Sequence, residues 1–285
     1  MCIVLIGAEG QLGRDLRRRL SDDVVALDLP AFDACDPRQV AEVMHQSRPR
    51  CVVNCAAVTN VDACEQQPQA AWRVNAQAAG QVARCAADVG ARVVFISTDY
   101  VFATPADGKA SRERDLPQPL NIYGVTKLAG EYLTAANNPD HLIVRTSGLY
   151  GHGGARGKGG NFVETIRRLA GAGEPLRIVD DQRLSPTSTA ALAERLVDLL
   201  DNPATGVLHL AAADSCTWYE LACAIVASAG AAVEVTPISS AELGRPARRP
   251  PCSALASDRL AEVGLAPLPP WRAMLEDYLS AASAS

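Results

Sequence analysis

Tyr123 and Lys127 stand four residues apart in Tyr123-Gly124-Val125-Thr126-Lys127, and Thr98 closes the apolar run Val93-Val94-Phe95-Ile96-Ser97-Thr98 upstream. On a helix, positions four apart share one face. A phenol titrates near about pH 10, and a neighbouring ammonium favours the phenolate and pulls that value toward neutrality. The pair therefore reads as a proton donor and its activator. A hydroxyl at the end of a buried strand points out at the carboxyl edge of a parallel sheet, where open α/β sheets bind ligands. There Thr98 can donate to a carbonyl oxygen as it becomes negative, an effect worth roughly 2–4 kcal/mol. These three candidate catalytic residues, Thr98, Tyr123 and Lys127, suit the interconversion of a ketone and an alcohol. That chemistry needs a hydride carrier.

The N-terminus supplies the place for one. Gly7-Ala8-Glu9-Gly10-Gln11-Leu12-Gly13 follows the run Ile3-Val4-Leu5-Ile6 and opens a helix. Gly7 permits a sharp turn, Gly10 lets backbone approach a pyrophosphate, and Gly13 allows close helix–strand packing. Unpaired N–H groups at the helix start then face the phosphates. Asp28 ends the next strand, where an acid hydrogen-bonds ribose hydroxyls. No Arg follows it, which leans toward NADH without excluding NADPH. Asp33 either lies along the adenine or belongs to the turn before Pro37. The small side chains of Ala56, Ala57 and Val58 let a dinucleotide lie flat. Lys127 also holds nicotinamide ribose hydroxyls in this reading.

Elements of the right kind surround these residues. Strands are expected at Ile3–Ile6, Val24–Leu27, Cys51–Asn54, Arg92–Ser97, His141–Arg145 and Gly206–Leu210. Helices are expected over 14–20, 39–46, 70–89 and 123–136. Strands alternating with helices imply an α/β fold, a Rossmann-type doubly wound parallel sheet. The later part changes character and reads as a smaller C-terminal substrate-binding region. Residues 1–148 form the nucleotide-binding domain, completed by 187–212, and 149–285 interleave with the sheet.

The 285 residues, 48% hydrophobic and 21% charged, are ordinary globular composition. A net charge of −5 gives no broad reason to bind nucleic acid or an anionic membrane. Nine cysteines contain no CxxC pair and no Cys/His cluster, and no secretory or membrane-spanning segment is read. A soluble, cytoplasmic protein is expected, as monomer or homodimer. His45, His141, His152 and His209 are scattered without metal-ligand spacing.

The motifs Gly7 to Gly13, Asn54-Cys55-Ala56-Ala57, Val74-Asn75, Ser97 to Phe102 and Tyr123 to Lys127 resemble the dTDP-4-dehydrorhamnose reductase family of extended short-chain dehydrogenase/reductases. So do Arg145-Thr146-Ser147, Asn161-Phe162, Asp181-Gln182, Pro186-Thr187, Arg248-Arg249-Pro250 and Leu268-Pro269-Pro270-Trp271. The resemblance implies NAD(P)H-dependent reduction of the C4 ketone of dTDP-4-dehydro-L-rhamnose to dTDP-L-rhamnose. It implies cofactor contacts at Gly10, Gln11, Leu12, Asp28, Asp33, Ala34, Ala56, Ala57 and Val58. Substrate contacts follow at Thr98, Asp99, Gly148, Asn161, Gln182 and Arg249.

The chain departs from the family at two places. Gly148 stands where relatives often carry a Trp that packs on the sugar, which puts the exact deoxysugar in question. Asp15 fits one position of a dimer-bridging Mg²⁺ site, but Ala190 holds the second, so no metal site is expected. A 4,6-dehydratase is disfavoured because Tyr100, not an acid, follows Asp99. An epimerase on the same fold would retain NAD⁺. Reduction of another dTDP-4-keto-6-deoxysugar remains an alternative. So does a non-catalytic nucleotide-binding subunit resembling the regulatory subunit of methionine adenosyltransferase. The Gly-rich stretch 151–160, with Arg156 and Lys158, reads either as a lid over the dTDP diphosphate or as a surface loop. Arg248 and Arg249 serve those phosphates or are solvated. Trp218 and Tyr219 are expected to pack in the core.

Overall fold

The structure, a computed structural model, describes residues 2–20, 23–103, 108–152 and 160–283. Six short runs rich in β-branched and apolar residues form one parallel sheet: β1 (Ile3–Ile6), β2 (Val24–Leu27), β3 (Cys51–Asn54), β4 (Arg92–Thr98), β5 (His141–Thr146) and, later, β8 (Gly206–His209). Their order is β2-β1-β3-β4-β5-β8. β1 and β3 are buried throughout, as sheets covered on both faces require.

Helices cover both faces. On one side α1 (Gln11–Arg19) and α8 (Thr189–Leu200) place Leu12, Leu16, Leu192, Leu196 and Leu199 against the sheet. On the other, α2 (Pro37–Ser47) and α5 (Ala79–Asp88) contribute Val40, Met44, Val82 and Ala86. A third core lies apart, where Tyr150, Val163 and Ile166 meet Leu221, Ile225, Trp271 and Met274. It joins α7 (Phe162–Gly171), α9 (Trp218–Ser228) and α11 (Trp271–Ser283). Two small pairs complete this part: β6 (Leu176–Val179) with β10 (Val235–Ile238), and β7 (Arg183–Leu184) with β9 (Cys216–Thr217). The remaining helices are α3 (Val61–Gln66), α4 (Pro68–Trp72), α6 (Ile122–Asn137) and α10 (Ser240–Leu243).

The expected strands are present, with β4 and β5 one residue longer and β8 one shorter than read. The single helix expected over 70–89 is not one helix. α4 passes through a π-helical stretch, Arg73–Ala78, before α5. That wider turn points Asn75 inward, where it is fully buried. Its Oδ1 accepts from Val58 N at 2.8 Å, while Nδ2 donates to Val58 O at 3.2 Å and to Thr126 Oγ1 at 3.1 Å. Asn75 thus pins the loop after β3 to α6.

α6 lies unusually close to its neighbours. Asn121 caps it by accepting from Gly124 N at 2.8 Å. A Cβ on Gly124 would sit 2.1 Å from Tyr100 O, and one on Gly130 would sit 2.2 Å from Asn75 O. Both obstructions are backbone, so neither can swing aside. Gly124→Ala is expected to push α6 off the 3₁₀ turn Asp99–Val101 and cost about 1–3 kcal/mol. Thermal unfolding checks this, and an unchanged midpoint would contradict it.

Candidate active site

Gly7 turns the chain from β1 toward α1 with φ +81°, a left-handed conformation natural only to glycine. A Cβ there would lie 2.9 Å from Ala56 N, because the loops after β1 and β3 meet at this point. The chain leaves β1 for β2 on one side and returns to β3 on the other, so a crevice opens between them. A Cβ on Gly13 would meet Gly7 O at 2.2 Å, which is why the helix packs so near the loop. Gly10 occupies the N-cap of α1 and no side chain caps it. The helix therefore presents free N–H groups toward the crevice.

Two cavities open there. One of about 290 Å³ is lined by Gly7, Gly10, Asp28, Asp33, Ala34, Ala56, Ala57 and Val58. The other, about 490 Å³, is lined by Gly7, Gly10, Gln11, Leu12, Gly13, Ala57, Thr98, Asp99, Tyr123, Lys127, Gly148, Asn161 and Gln182. Gly7, Gly10, Cys55 and Ala57 border both, so the two are continuous. This double cavity, floored by small residues and helix N–H groups, fits a dinucleotide. Asp28 stands at its far end, with Oδ2 accepting from Glu9 N and Oδ1 from Leu29 N, each at 2.8 Å. The acid therefore also braces the glycine loop.

Of the described candidate contacts, Arg248 lines neither wall, and nor does Arg249. It clamps Asp62 through two bonds of 2.8 and 2.9 Å and also donates to Ala247 O. This pairing across 187 positions holds Asp62 below the usual carboxylate range. Arg249 braces α3 against the C-terminal segment; its neighbour Pro250 reaches the cavity. Trp218, expected in the core, is half-buried and on the cavity wall, tilted against Phe162 with ring centroids 4.6 Å apart. Tyr219 is half-buried too. Asn161 lies on the wall as the N-cap of α7 and donates to Gly151 O at 2.8 Å. Gly148 has φ +53°, and a Cβ there would meet Leu184 Cδ1 at 2.6 Å, so Leu184 fills space beside it. Arg156 and Lys158 lie outside the described residues.

Tyr123 and Lys127 share a face of α6, one turn apart, as their spacing predicts. Their electrostatics differ from the expectation. Lys127 is buried and turned back to the sheet, its Nζ donating to Ile96 O at 2.6 Å and lying 3.9 Å above the Phe95 ring. Burial lowers its pKa to about 7, partly opposed by Glu131. The Tyr123 phenol is pushed up from its usual value by burial, and only the Thr98 hydroxyl counters this. Lys127 is not among the groups that shift the phenol here, its ammonium being turned to a strand carbonyl.

Beneath Lys127 runs a buried polar ladder that sequence reading missed. Arg145 grips Glu131 with Nε at 2.9 Å and Nη2 at 2.6 Å, and Ser97 donates to the same carboxylate. His209 Nδ1 lies 2.9 Å from Ala256 O and 3.1 Å from Ser111 O, which assigns the hydrogen to Nδ1. Its Nε2 then faces Arg145 at 3.5 Å. Burial keeps this ring neutral by lowering its pKa. Tyr123, Lys127 and Glu131 form a stripe at i, i+4, i+8, so only the final carboxylate was readable from spacing.

No group of three or more His, Cys, Asp or Glu side chains among the described residues is placed to hold a metal ion. Asp15 is engaged by Thr189 Oγ1 at 2.5 Å and by Arg18 at 2.8 Å. Among the described residues no helix is long and apolar enough to cross a membrane.

A nucleotide cradle and a Tyr/Lys helix meeting at one edge of a Rossmann-type sheet is the arrangement of the extended short-chain dehydrogenase/reductases, the class of the structural neighbours. A family model, the RmlD substrate binding domain, matches residues 1–284, and the chain belongs to that family. The spore coat polysaccharide biosynthesis protein SpsK of Bacillus subtilis is 38% identical over 99% of this chain and 98% of its own. The dTDP-4-dehydrorhamnose reductase of Mycobacterium tuberculosis is 39% identical over 98% of this chain and 92% of its own. The solved structure of the Bacillus anthracis dTDP-4-dehydrorhamnose reductase, in complex with NADP, superposes with a TM-score of 0.92 at 36% identity, covering 98% and 99% of the two chains.

Lys127 also bears on stability. Its lowered pKa means the folded state carries a desolvated charge below about pH 7 and sheds it above. Lys127→Met is therefore expected to raise the thermal midpoint more near about pH 6 than near about pH 9, while abolishing activity. Equal changes at the two pH values would contradict the burial argument.

Proposed function

We propose that this protein reduces the C4 ketone of dTDP-4-dehydro-L-rhamnose to dTDP-L-rhamnose with NADH or NADPH. The observation that carries the reading is the convergence of Thr98, Tyr123 and Lys127 on one cavity, continuous with the glycine-floored crevice. The relatives' names supply the substrate class, and the Bacillus anthracis complex supplies the cofactor class.

In this reading Gly7, Gly10, Gln11, Leu12 and Gly13 hold the pyrophosphate, while Asp28, Asp33 and Ala34 border the adenosine. Ala56, Ala57 and Val58 leave room along the backbone. Lys127 holds the nicotinamide ribose. The bound dihydronicotinamide supplies hydride to the ketone carbon. Thr98 hydrogen-bonds the ketone oxygen as charge develops there, and Tyr123 gives that oxygen its proton. A phenol held above its usual pKa by burial keeps its proton until an alkoxide, a far stronger base, forms beside it. Asp99, Gly148, Asn161 and Gln182 border the sugar nucleotide. Arg249 acts indirectly, by bracing Asp62. The nine cysteines are all free thiols, which suits a cytoplasmic setting, with the protein acting as monomer or homodimer.

Gly148 and the Leu184 side chain beside it favour a second reading, in which a different dTDP-4-keto-6-deoxysugar is the preferred ketone. Comparison of kcat/KM across such sugars separates the two. Loss of dihydronicotinamide absorbance with dTDP-4-dehydrorhamnose tests the main reading. Tyr123→Phe is expected to lower kcat roughly 10²–10⁴-fold with the circular dichroism spectrum unchanged. Equal rates for the two proteins would remove Tyr123 as proton donor.

A further inference from the structure

Asp99 is a buried acid, 4% exposed, set in the cavity wall beside Thr98. Its two oxygens are held by hydroxyls. Thr98 Oγ1 donates to Oδ1 at 2.9 Å, Ser147 Oγ donates to Oδ2 at 2.8 Å, and Ser253 also hydrogen-bonds the carboxylate. Backbone fixes the other side of two of these donors: Tyr100 N–H donates to Thr98 Oγ1, and Ser185 N–H to Ser147 Oγ, each at 3.2 Å. Among the described residues no cation forms an ion pair with Asp99. The groups around it are the Tyr100 phenol on its own turn, bordered by Arg249, and the Tyr123 phenol on α6. Lys127 on α6 is turned to Ile96 O, and Arg145 on β5 is locked to Glu131.

A threonine hydroxyl has one hydrogen and two lone pairs. With Asp99 ionised, the Thr98 hydrogen points at the carboxylate. One lone pair accepts from Tyr100 N–H. The Thr98 hydrogen that a ketone oxygen needs is then turned away from it. A proton on Asp99 reverses the chain. The carboxyl O–H fills the second lone pair of Thr98, so the Thr98 hydrogen swings into the cavity.

We propose that Asp99 is a positioning residue for the reduction, whose carboxyl must be protonated for Thr98 to present its hydrogen to the ketone. This rests on the reductase reading given above. Burial without a cation favours the neutral acid and raises its pKa to about 6, against the hydroxyls that favour the carboxylate. An amide is isosteric with the protonated acid: Asn Nδ2 donates to Thr98 while Oδ1 accepts from Ser147.

The test is the pH dependence of kcat/KM for ketone reduction by the wild type, Asp99→Asn and Ser147→Ala. The wild type is expected to fall about tenfold from about pH 5 to about pH 7, as the neutral fraction of an acid titrating near 6 does. Asp99→Asn, whatever its rate at about pH 5, shows no fall over that range. Ser147→Ala loses one donor to the ionised form, so its fall moves to higher pH. A flat wild-type profile, or the same fall in Asp99→Asn, overturns the proposal. Should Asp99→Asn fail to fold, an unmoved profile in Ser147→Ala overturns it equally. Absence of wild-type turnover at every pH removes the reductase reading and this inference with it, an outcome distinct from turnover with a flat profile.

Discussion

The site depends on one close approach, that of α6 to the turn after β4 and to the π-helical stretch before α5. Two glycines make it possible, since at Gly124 and Gly130 a single added carbon would collide with backbone oxygen. Asn75 ties the third side, joining the loop after β3 to α6 through Thr126. Because the approach is set by backbone contacts and a buried amide, the Tyr123 phenol is carried to Thr98 by rigid elements, not by a loop. That placement is what preorganised catalysis demands.

Much of this was legible in the residues. β-branched and apolar runs located the strands, and the glycine spacing after Ile6 located the crevice. The i, i+4 relation placed Tyr123 and Lys127 on one face. What escaped was long-range or a matter of direction. The Asp62–Arg249 clamp joins positions 187 apart, and nothing local to Arg249 distinguishes it from a phosphate ligand. The π-helical stretch lies inside an Ala-rich segment whose pattern reads as plain α-helix. Spacing puts Lys127 beside Tyr123, but only the packing shows its ammonium turned toward Ile96 O. Trp218 begins a helix whose apolar residues mostly face the core, so its place on the cavity wall was hidden.

The cavity wall is governed by burial more than by charge. Tyr123 and Asp99 are both pushed toward their neutral forms, and Lys127 is drawn toward its neutral form as well. Hydroxyl hydrogens, each with one direction to point, therefore do the positioning that ion pairs do elsewhere. The full charges are kept one layer down, in Arg145 and Glu131, where each satisfies the other.

That hidden layer has an evolutionary consequence. Loss of either member of a buried pair strands a bare charge and typically costs 3–5 kcal/mol, a large part of any domain's stability. Arg145 and Glu131 cannot drift separately, and a lineage leaving this arrangement must change both at once or pass through an unstable intermediate sequence. Residues that no ligand ever touches are thereby held as firmly as those that meet one.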